Sequence, residues 1–214
     1  MATRTGRKHR EAAFLNIPYD RDFEELYLAY IAGIAAFGLT PRATLEVPGG
    51  TRRLDRIFDV IRTCQYSFHD LSRVEVDPSP PPTPRFNMPF ELGLAVACER
   101  TGRRRHTWFV FESVDRRAEK SLSDLKGTDI YVHEGSPAGL FRELGNALVN
   151  AERSPEIADM EFVYSHLRIA LPNLRKQTGA KGVFEARLFR DLVVTAQGLA
   201  ARLPVKAAAG PRTR

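Results

Sequence analysis

The sequence contains little cysteine and no long apolar run. Two cysteines among 214 residues are too few for a disulfide scaffold, and they fit a reducing compartment. No apolar stretch approaches the ~18 residues of a membrane span, and the basic N-terminus lacks the apolar core of a secretory signal. We therefore expect a cytoplasmic protein with no membrane partner.

Several motif classes are missing as well. The sequence has neither GxGxxG nor GxxxxGK[ST], so it lacks the phosphate-binding glycines of dinucleotide-binding folds and P-loops. It has no GxSxG nucleophile elbow. The five histidines are scattered, without the spacing of metal ligands. We expect no metal ion and no tightly held cofactor.

The positive charge lies at the chain ends. The net charge is +6, and residues 1–10 and 202–214 each carry four basic residues and no acid. Removing these eight charges leaves −2 for the chain between them. A nucleic-acid-binding domain usually carries its basic stripe on the fold itself, and a solvated turn before a strand explains the internal run Arg103–Arg105. Nucleic acid is not expected to be the main partner.

Strand and helix patterns alternate along most of the chain. Short runs rich in β-branched and aromatic residues are typical of buried strands, and apolar residues at intervals of three or four are typical of helices. The predicted strands are 12–18, 40–47, 66–70, 107–111 and 129–132, and the predicted helices are 22–37, 51–63, 88–100 and 137–151. This alternation predicts an α/β fold with a parallel sheet between two layers of helices.

Two segments interrupt or follow this alternation. Residues 77–87 contain five of the chain's 14 prolines, which predicts an extended loop. Apolar periodicity over 155–204 predicts two helices with a break at Gly179 and Gly182, a helical appendage that serves as a lid, a dimer contact or a partner-binding element. The expected divisions are a basic disordered tail (1–11), an α/β domain (12–153), a helical hairpin (154–204) and a disordered tail (205–214).

The loops after the predicted strands hold the candidate site residues, because ligands of open parallel sheets bind at the carboxyl ends of the strands. Asp70 ends the third strand, where it either forms a turn or serves a substrate by binding a sugar hydroxyl or transferring a proton. His69 points to the opposite face of a regular strand and is expected to be packed and satisfied. Other polar or rigid residues at this edge are Asn16, Pro18, Tyr19, Arg42, Glu46, Ser72 and Asn87.

Glu91 allows two interpretations. Pro89 suits the first helical position, which places Glu91 in the first turn, where a carboxylate caps N–H groups and stabilises the helix by ~0.3–1 kcal/mol. Phe90 and Leu92, however, flank it with apolar bulk, and Gly93 lets backbone approach a ligand. A carboxylate in a cleft at this edge is a candidate nucleophile or stabiliser for an oxocarbenium carbon.

Four segments resemble one superfamily in order and spacing. AFLNIPYDRDFEELY, GLTPRATLE, RIFDVIRTCQYSFHDLS and FNMPFELGLAVA are similar to the motifs of the bacterial nucleoside 2-deoxyribosyltransferase-like and TIR-like superfamily, over residues 12–150. The resemblance implies a flavodoxin-like three-layer sandwich whose members cleave or transfer N-glycosidic bonds, frequently in antiviral defence. The chain departs from the pattern at residues 64–68 and in a longer, proline-rich loop between Ser72 and Asn87.

The resemblance also implies individual roles. FNMPFELG matches Glu91 to the catalytic carboxylate, and HDLS matches Asp70 to the acidic residue that helps to bind the nucleoside or ribose. Asn16, Pro18 and Tyr19 correspond to the first pocket-lining loop, and Arg42 and Glu46 to the second.

The expected function is that of a nucleotide N-glycosidase, an NAD glycohydrolase or cyclase, with NAD or a related nucleotide as substrate. Nicotinamide leaves NAD as a neutral base, so one carboxylate in a dry pocket suffices, whereas a neutral purine needs a proton donor. One alternative is a nucleoside deoxyribosyltransferase or nucleotide hydrolase with Asp70 as proton shuttle. Another is a non-catalytic module that binds a nucleotide or protein, with the C-terminal helices forming a homo-oligomer.

Overall fold

A computed structural model describes residues 11–46, 52–74, 76–77, 80–102 and 105–204 of the chain. Residues 1–10 of the predicted N-terminal tail (1–11), the predicted tail at 205–214, and Arg103 and Arg104 of the basic run lie outside the described residues.

The strands form one large sheet and one short hairpin. In chain order they are β1 (Ala12–Asn16), β2 (Thr40–Ala43), β3 (Tyr66–Asp70), β4 (Val76–Asp77), β5 (Thr83–Pro84), β6 (Thr107–Glu112) and β7 (Ile130–Val132). Five of them pair in parallel in the order β2-β1-β3-β6-β7, and β4 pairs antiparallel with β5. The reversal of direction after β1 is the doubly wound arrangement, in which ligands bind where the strand order reverses.

Seven helices are present in the described part of the chain. They are α1 (Glu24–Ala36), α2 (Arg53–Thr63), α3 (Asn87–Thr101), α4 (Arg117–Ser121), α5 (Pro137–Ala147), α6 (Ile157–Thr178) and α7 (Ala186–Ala200). The predicted α/β class, with five parallel strands and a helical C-terminal region, is confirmed. None of these helices is long and apolar enough to cross a bilayer.

Three local predictions need correction. The second strand ends at Ala43 instead of residue 47, because the Glu46 carboxylate accepts a 2.9 Å hydrogen bond from the Ala43 N–H and closes a 3-10 turn. The proline-rich segment is not entirely loop, since it contains β5. Helix α4 was not predicted, because its five residues are too few to show an apolar period.

The two faces of the sheet have separate cores, because successive strand residues point to opposite sides. On one face Leu15, Phe68 and Phe111 share a core with residues of α1 and α5. On the other face Phe14 packs with α2 and α3, and Val110 packs with α3 and α4.

Helix α1 is enclosed by other elements. Every residue from Leu26 to Ala36 is buried, because α5, α6 and α7 all pack on this helix in addition to the sheet. A Cβ added at Gly33 would lie 2.5 Å from the Leu144 Cδ1, so a larger residue would force the Leu144 side chain to move where α5 crosses α1. A helix that is apolar all round is buried all round, and the C-terminal helices supply the outer cover.

The C-terminal hairpin is anchored to the α/β part by polar contacts as well as by its core. Gln197 of α7 donates a 2.8 Å hydrogen bond to the Thr40 hydroxyl at the start of β2. Arg153 donates a 2.9 Å hydrogen bond to the Ala200 carbonyl at the end of α7. The hairpin therefore shares one continuous core with the sheet.

Candidate active site

Glu91 lies beyond the first turn of α3 and does not cap the helix. The helix begins at Asn87, so Pro89 is its third residue and Glu91 its fifth. The side chain is buried, with 6% of its surface exposed, and within the described part of the chain its carboxylate has no hydrogen bond or ion pair. The capping interpretation is therefore wrong, because a capping carboxylate lies in the first turn and accepts hydrogen bonds from free backbone N–H groups.

Burial controls the protonation of Glu91. It raises the pKa of this carboxyl to about 7, and the positive charge of Arg53 at the start of α2 offsets the rise in part. A carboxylate removed from water without hydrogen bonds interacts strongly with any positive charge brought near it. Arg53 was missed by the sequence analysis, since it belongs to no motif and only the fold brings its charge towards Glu91.

Tyr19 shares the electrostatic environment of Glu91. Burial raises the pKa of the Tyr19 phenol, and the charge of Glu91 raises it further. The phenol oxygen accepts a 3.2 Å hydrogen bond from the Thr44 hydroxyl, which leaves the phenol proton available to another partner. The Tyr19 ring also packs on Phe184, with ring centroids 5.6 Å apart, so the C-terminal hairpin supports a predicted site residue.

Asn16 ties the end of β1 to the helix that carries Glu91. Its side-chain nitrogen donates a 2.9 Å hydrogen bond to the Met88 carbonyl in the first turn of α3. Asn16, Tyr19 and Glu91 are therefore the predicted residues that the structure brings to one region of the sheet edge, joined by the newly found Arg53.

Asp70 is the centre of a different, fully buried network. Its Oδ2 accepts hydrogen bonds from the Tyr30 hydroxyl at 2.8 Å and the His133 Nε2 at 3.0 Å, and its Oδ1 accepts one from the Ser72 N–H at 2.9 Å. Burial alone raises the pKa of Asp70, but the His133 and Ser72 bonds outweigh it and hold the pKa below its usual value. The Nδ1 of His133 accepts from the Gly135 N–H, so Nε2 carries the ring proton.

The structure does not bring Asp70 and Glu91 together. Asp70 bonds Tyr30 of α1 on one face of the sheet, whereas Glu91 belongs to α3 on the other. Ser72 belongs to the Asp70 network, since its hydroxyl lies 3.3 Å from His133. This geometry favours a structural role for Asp70 and Ser72 over the substrate contacts predicted for them.

The remaining predicted residues have local partners. The Arg42 Nε donates to both Glu46 carboxylate oxygens, at 3.0 and 2.8 Å, within β2 and the turn that follows it. Pro18 is buried after β1, and the exposed Asn87 directs its side-chain nitrogen to the Met88 sulfur at 3.0 Å. The charge that acts on Glu91 is that of Arg53, not Arg42.

A groove of about 850 Å³ lies at the amino-terminal edge of the sheet, opposite the strand ends that carry the predicted site. It is lined by Phe58, Asp59, Arg62, Thr63, Cys64, Cys98, Thr101, Gly102 and His106. Burial raises the pKa of the Cys64 thiol to about 12, so this thiol is not a nucleophile at neutral pH. None of the predicted site residues lines the groove.

Within the described ranges, no three His, Cys, Asp or Glu side chains are grouped so that they could bind a metal ion. In comparisons with known proteins, no family model and no curated protein matches the chain. The function proposed below therefore depends on the geometry around Glu91 and on the four segments that resemble the deoxyribosyltransferase-like and TIR-like superfamily.

Proposed function

We propose that this protein is a nucleotide N-glycosidase that cleaves the nicotinamide–ribose bond of NAD, by hydrolysis or cyclisation, with Glu91 as the catalytic carboxylate. One observation carries the proposal. Glu91 is buried near the start of a helix that begins at the carboxyl edge of a doubly wound sheet, and its carboxylate has no hydrogen bond or ion pair among the described residues.

The reaction needs a negative charge beside the anomeric carbon. The C1′–N bond breaks with its electron pair moving to the pyridinium nitrogen, so nicotinamide leaves neutral and the ribose becomes an oxocarbenium ion. An ionised Glu91 stabilises this cation or captures it covalently. Water then adds to C1′ and loses a proton, which gives ADP-ribose, or an adenine nitrogen adds and gives a cyclic product.

The raised pKa of Glu91 suits a cationic substrate. Because burial raises the pKa of Glu91 to about 7, both its protonated and its ionised forms are populated near neutral pH. A pyridinium bound nearby favours the ionised form, so NAD promotes the charge state that its own cleavage requires. A neutral nucleoside has no such effect.

The protonation state of Asp70 favours NAD over a neutral purine nucleoside as the substrate. A purine leaving group needs a proton donor, and Asp70 was the candidate for that role. Three donors surround the Asp70 carboxylate, and its pKa lies below the usual value, so it is ionised at neutral pH and has no proton to give. We assign Asp70 a structural role, through its bonds to Tyr30 and His133.

Nicotinamide release tests the proposal. Purified protein is incubated with NAD over a range of protein concentrations, and the products are separated by chromatography, beside Glu91→Gln and the control Glu99→Gln. Glu99 lies on the same helix and accepts a 2.8 Å bond from the Trp108 indole, which glutamine can also accept. We expect turnover by the wild type and the control, and at least a 100-fold loss in Glu91→Gln.

Two outcomes contradict the proposal. Equal activity in Glu91→Gln and the wild type would remove Glu91 from the chemistry. The failure of NAD, NADP, nucleosides and deoxynucleosides to react at every protein concentration would favour a non-catalytic nucleotide-binding or protein-interaction module.

A further inference from the structure

A chain of buried hydrogen bonds runs along the α2/α3 face of the sheet and ends at the candidate site. The Asn16 side-chain nitrogen lies 2.9 Å from the His69 Nδ1, and the His69 Nε2 lies 2.9 Å from the Ser67 hydroxyl. That hydroxyl lies 3.0 Å from the His106 Nε2, and the His106 Nδ1 lies 2.9 Å from the Cys64 carbonyl. All four polar side chains are buried.

The carbonyl groups at the two ends of this hydrogen-bond chain determine the direction of every bond in it. The Cys64 carbonyl can only accept, so the His106 Nδ1 carries a proton. In the neutral ring the His106 Nε2 then accepts from the Ser67 hydroxyl. The Ser67 oxygen in turn accepts from the His69 Nε2–H, which leaves the His69 Nδ1 as an acceptor.

The same direction follows from the other end. The Met88 carbonyl also only accepts, and it receives a 2.9 Å hydrogen bond from the Asn16 nitrogen. The second hydrogen of that nitrogen is donated to the His69 Nδ1. Both ends of the hydrogen-bond chain therefore require the same tautomers, with the proton on Nε2 in His69 and on Nδ1 in His106. Each of these N–H groups, and the Ser67 hydroxyl between them, then has an acceptor.

The hydrogen-bond chain uses the Asn16 side-chain nitrogen but not the side-chain oxygen. Both hydrogens of the Asn16 nitrogen are used, so the amide cannot rotate without losing two buried bonds. Within the described residues its Oδ1 has no hydrogen-bond partner, and this atom is not one of the fully enclosed polar atoms without a partner. The oxygen is therefore not fully enclosed, although Asn16 as a whole residue is only 3% exposed.

We propose that His69 is a positioning residue, which holds the Asn16 amide with its oxygen towards the substrate, so that Asn16 recognises a hydrogen-bond donor such as a ribose hydroxyl. That the hydrogen-bond donor is a ribose hydroxyl rests on the proposed function. The tautomers of His69 and His106 do not depend on it. Burial, and to a smaller degree His106, lowers the pKa of His69 to about 3, so the ring stays neutral across the physiological range.

Nitrogen-15 NMR of the histidine rings in the wild-type protein tests the hydrogen-bond directions, because it shows which ring nitrogen carries the proton. We expect the Nε2–H tautomer at His69 and the Nδ1–H tautomer at His106. His166, which is exposed on α6 and lies outside this hydrogen-bond chain, provides an internal control. The opposite tautomer at either position, or a protonated His69 at pH 7, overturns the inference whatever the substrate is.

Binding measurements test the recognition of a donor. Glu91→Gln protein, which we expect to turn NAD over at least 100-fold more slowly, is titrated with NAD and with two analogues that lack the 2′- or the 3′-hydroxyl of the nicotinamide ribose. We expect one analogue to bind about tenfold more weakly than NAD, the effect of one lost hydrogen bond. The difference should disappear when His69→Phe or Ser67→Ala is added, and persist when His166→Gln is added.

The outcomes separate the two proposals. Unchanged discrimination between NAD and both analogues in the His69→Phe and Ser67→Ala proteins overturns the positioning role. If the wild type neither binds nor cleaves NAD, the proposed function fails and the ribose hydroxyl fails with it. The tautomers measured in the wild type still decide whether His69 holds Asn16, because they require neither substrate nor variant.

Discussion

The Asn16 side chain donates a 2.9 Å hydrogen bond to the Met88 carbonyl. This bond joins the end of the interior strand β1 to the first turn of α3, one helical turn before Glu91. A side chain on the strand therefore sets the position of the helix that carries the candidate catalytic carboxylate.

The pH dependence of activity distinguishes the roles open to Glu91. If the ionised carboxylate stabilises a cation, kcat/KM for NAD rises with pH and levels off above the Glu91 pKa of about 7. If Glu91 instead donates a proton to a leaving base, the rate falls over the same range. A profile measured from pH 5 to 9 decides between them, and a flat profile would contradict both.

Replacing Glu91 should stabilise the protein at alkaline pH. Because the pKa is raised in the folded state, the protonated form favours folding, and stability is lost as pH rises from the unfolded pKa through about 7. Glu91→Gln should therefore exceed the wild type in free energy of unfolding at pH 8, by on the order of 3 kcal/mol at most. The two proteins should be similar at pH 4.

Denaturant unfolding at both pH values measures this difference, and Glu99→Gln is the control. A loss of stability in Glu91→Gln at pH 8 would indicate that the carboxylate makes contacts that hold the fold together.

Asp70→Asn should destabilise the fold at neutral pH. The new amide nitrogen would face hydrogen-bond donors, either Tyr30 and His133 or the Ser72 N–H, so at least one buried donor would lose its acceptor. We expect a loss of roughly 2–4 kcal/mol. Because the pKa of Asp70 is depressed, its contribution is present above the unfolded pKa and is lost as pH falls through the folded value.

Thermal unfolding at pH 7 and at pH 3 measures this effect. The control is Asp115→Asn, since the Asp115 side chain is 80% exposed and should change stability by less than about 0.5 kcal/mol. An Asp70→Asn protein with wild-type stability and abolished activity would restore the direct substrate role predicted for Asp70.

Removal of residues 154–214 should prevent folding. The deletion exposes the buried side chains of α1 that α6 and α7 cover, which leaves an apolar patch typical of aggregating chains. Soluble yield and far-UV circular dichroism measure the outcome, and a deletion of residues 205–214 alone is the control. A folded, soluble 1–153 fragment would show that the hairpin is a separate unit.

The packing of Phe184 links the hairpin to the candidate site. Phe184 contacts the rings of Tyr19 and Tyr27, with centroids 5.6 and 5.0 Å apart. Phe184→Ala should raise the KM for NAD more than it lowers kcat, because Tyr19 loses its support while Glu91 stays in place. Steady-state kinetics test this, and Phe162→Ala, on the outer surface of α6, should leave both constants unchanged.

The sequence by itself determined the order of elements and the parallel sheet. Alternating patterns of period 2 and 3.6 are local, so strand 66–70 was predicted with its observed bounds. It also placed Glu91 and Asn16 at the correct edge, because the carboxyl ends of parallel strands meet on one side of the sheet. Apolar periodicity also predicted α6 and α7, but it did not show that these helices pack on α1.

Only the tertiary structure decided which partners and which protonation state Asp70 and Glu91 have. Tyr30 and His133 lie 40 and 63 positions from Asp70 in sequence, and no local pattern indicates that they converge on its carboxylate. Nor does any motif show that Glu91 is left without a partner while Arg53 lies close enough to influence it. The protonation of a carboxyl depends on solvent, donors and charges within a few ångströms, and distant parts of the chain supply these only after folding.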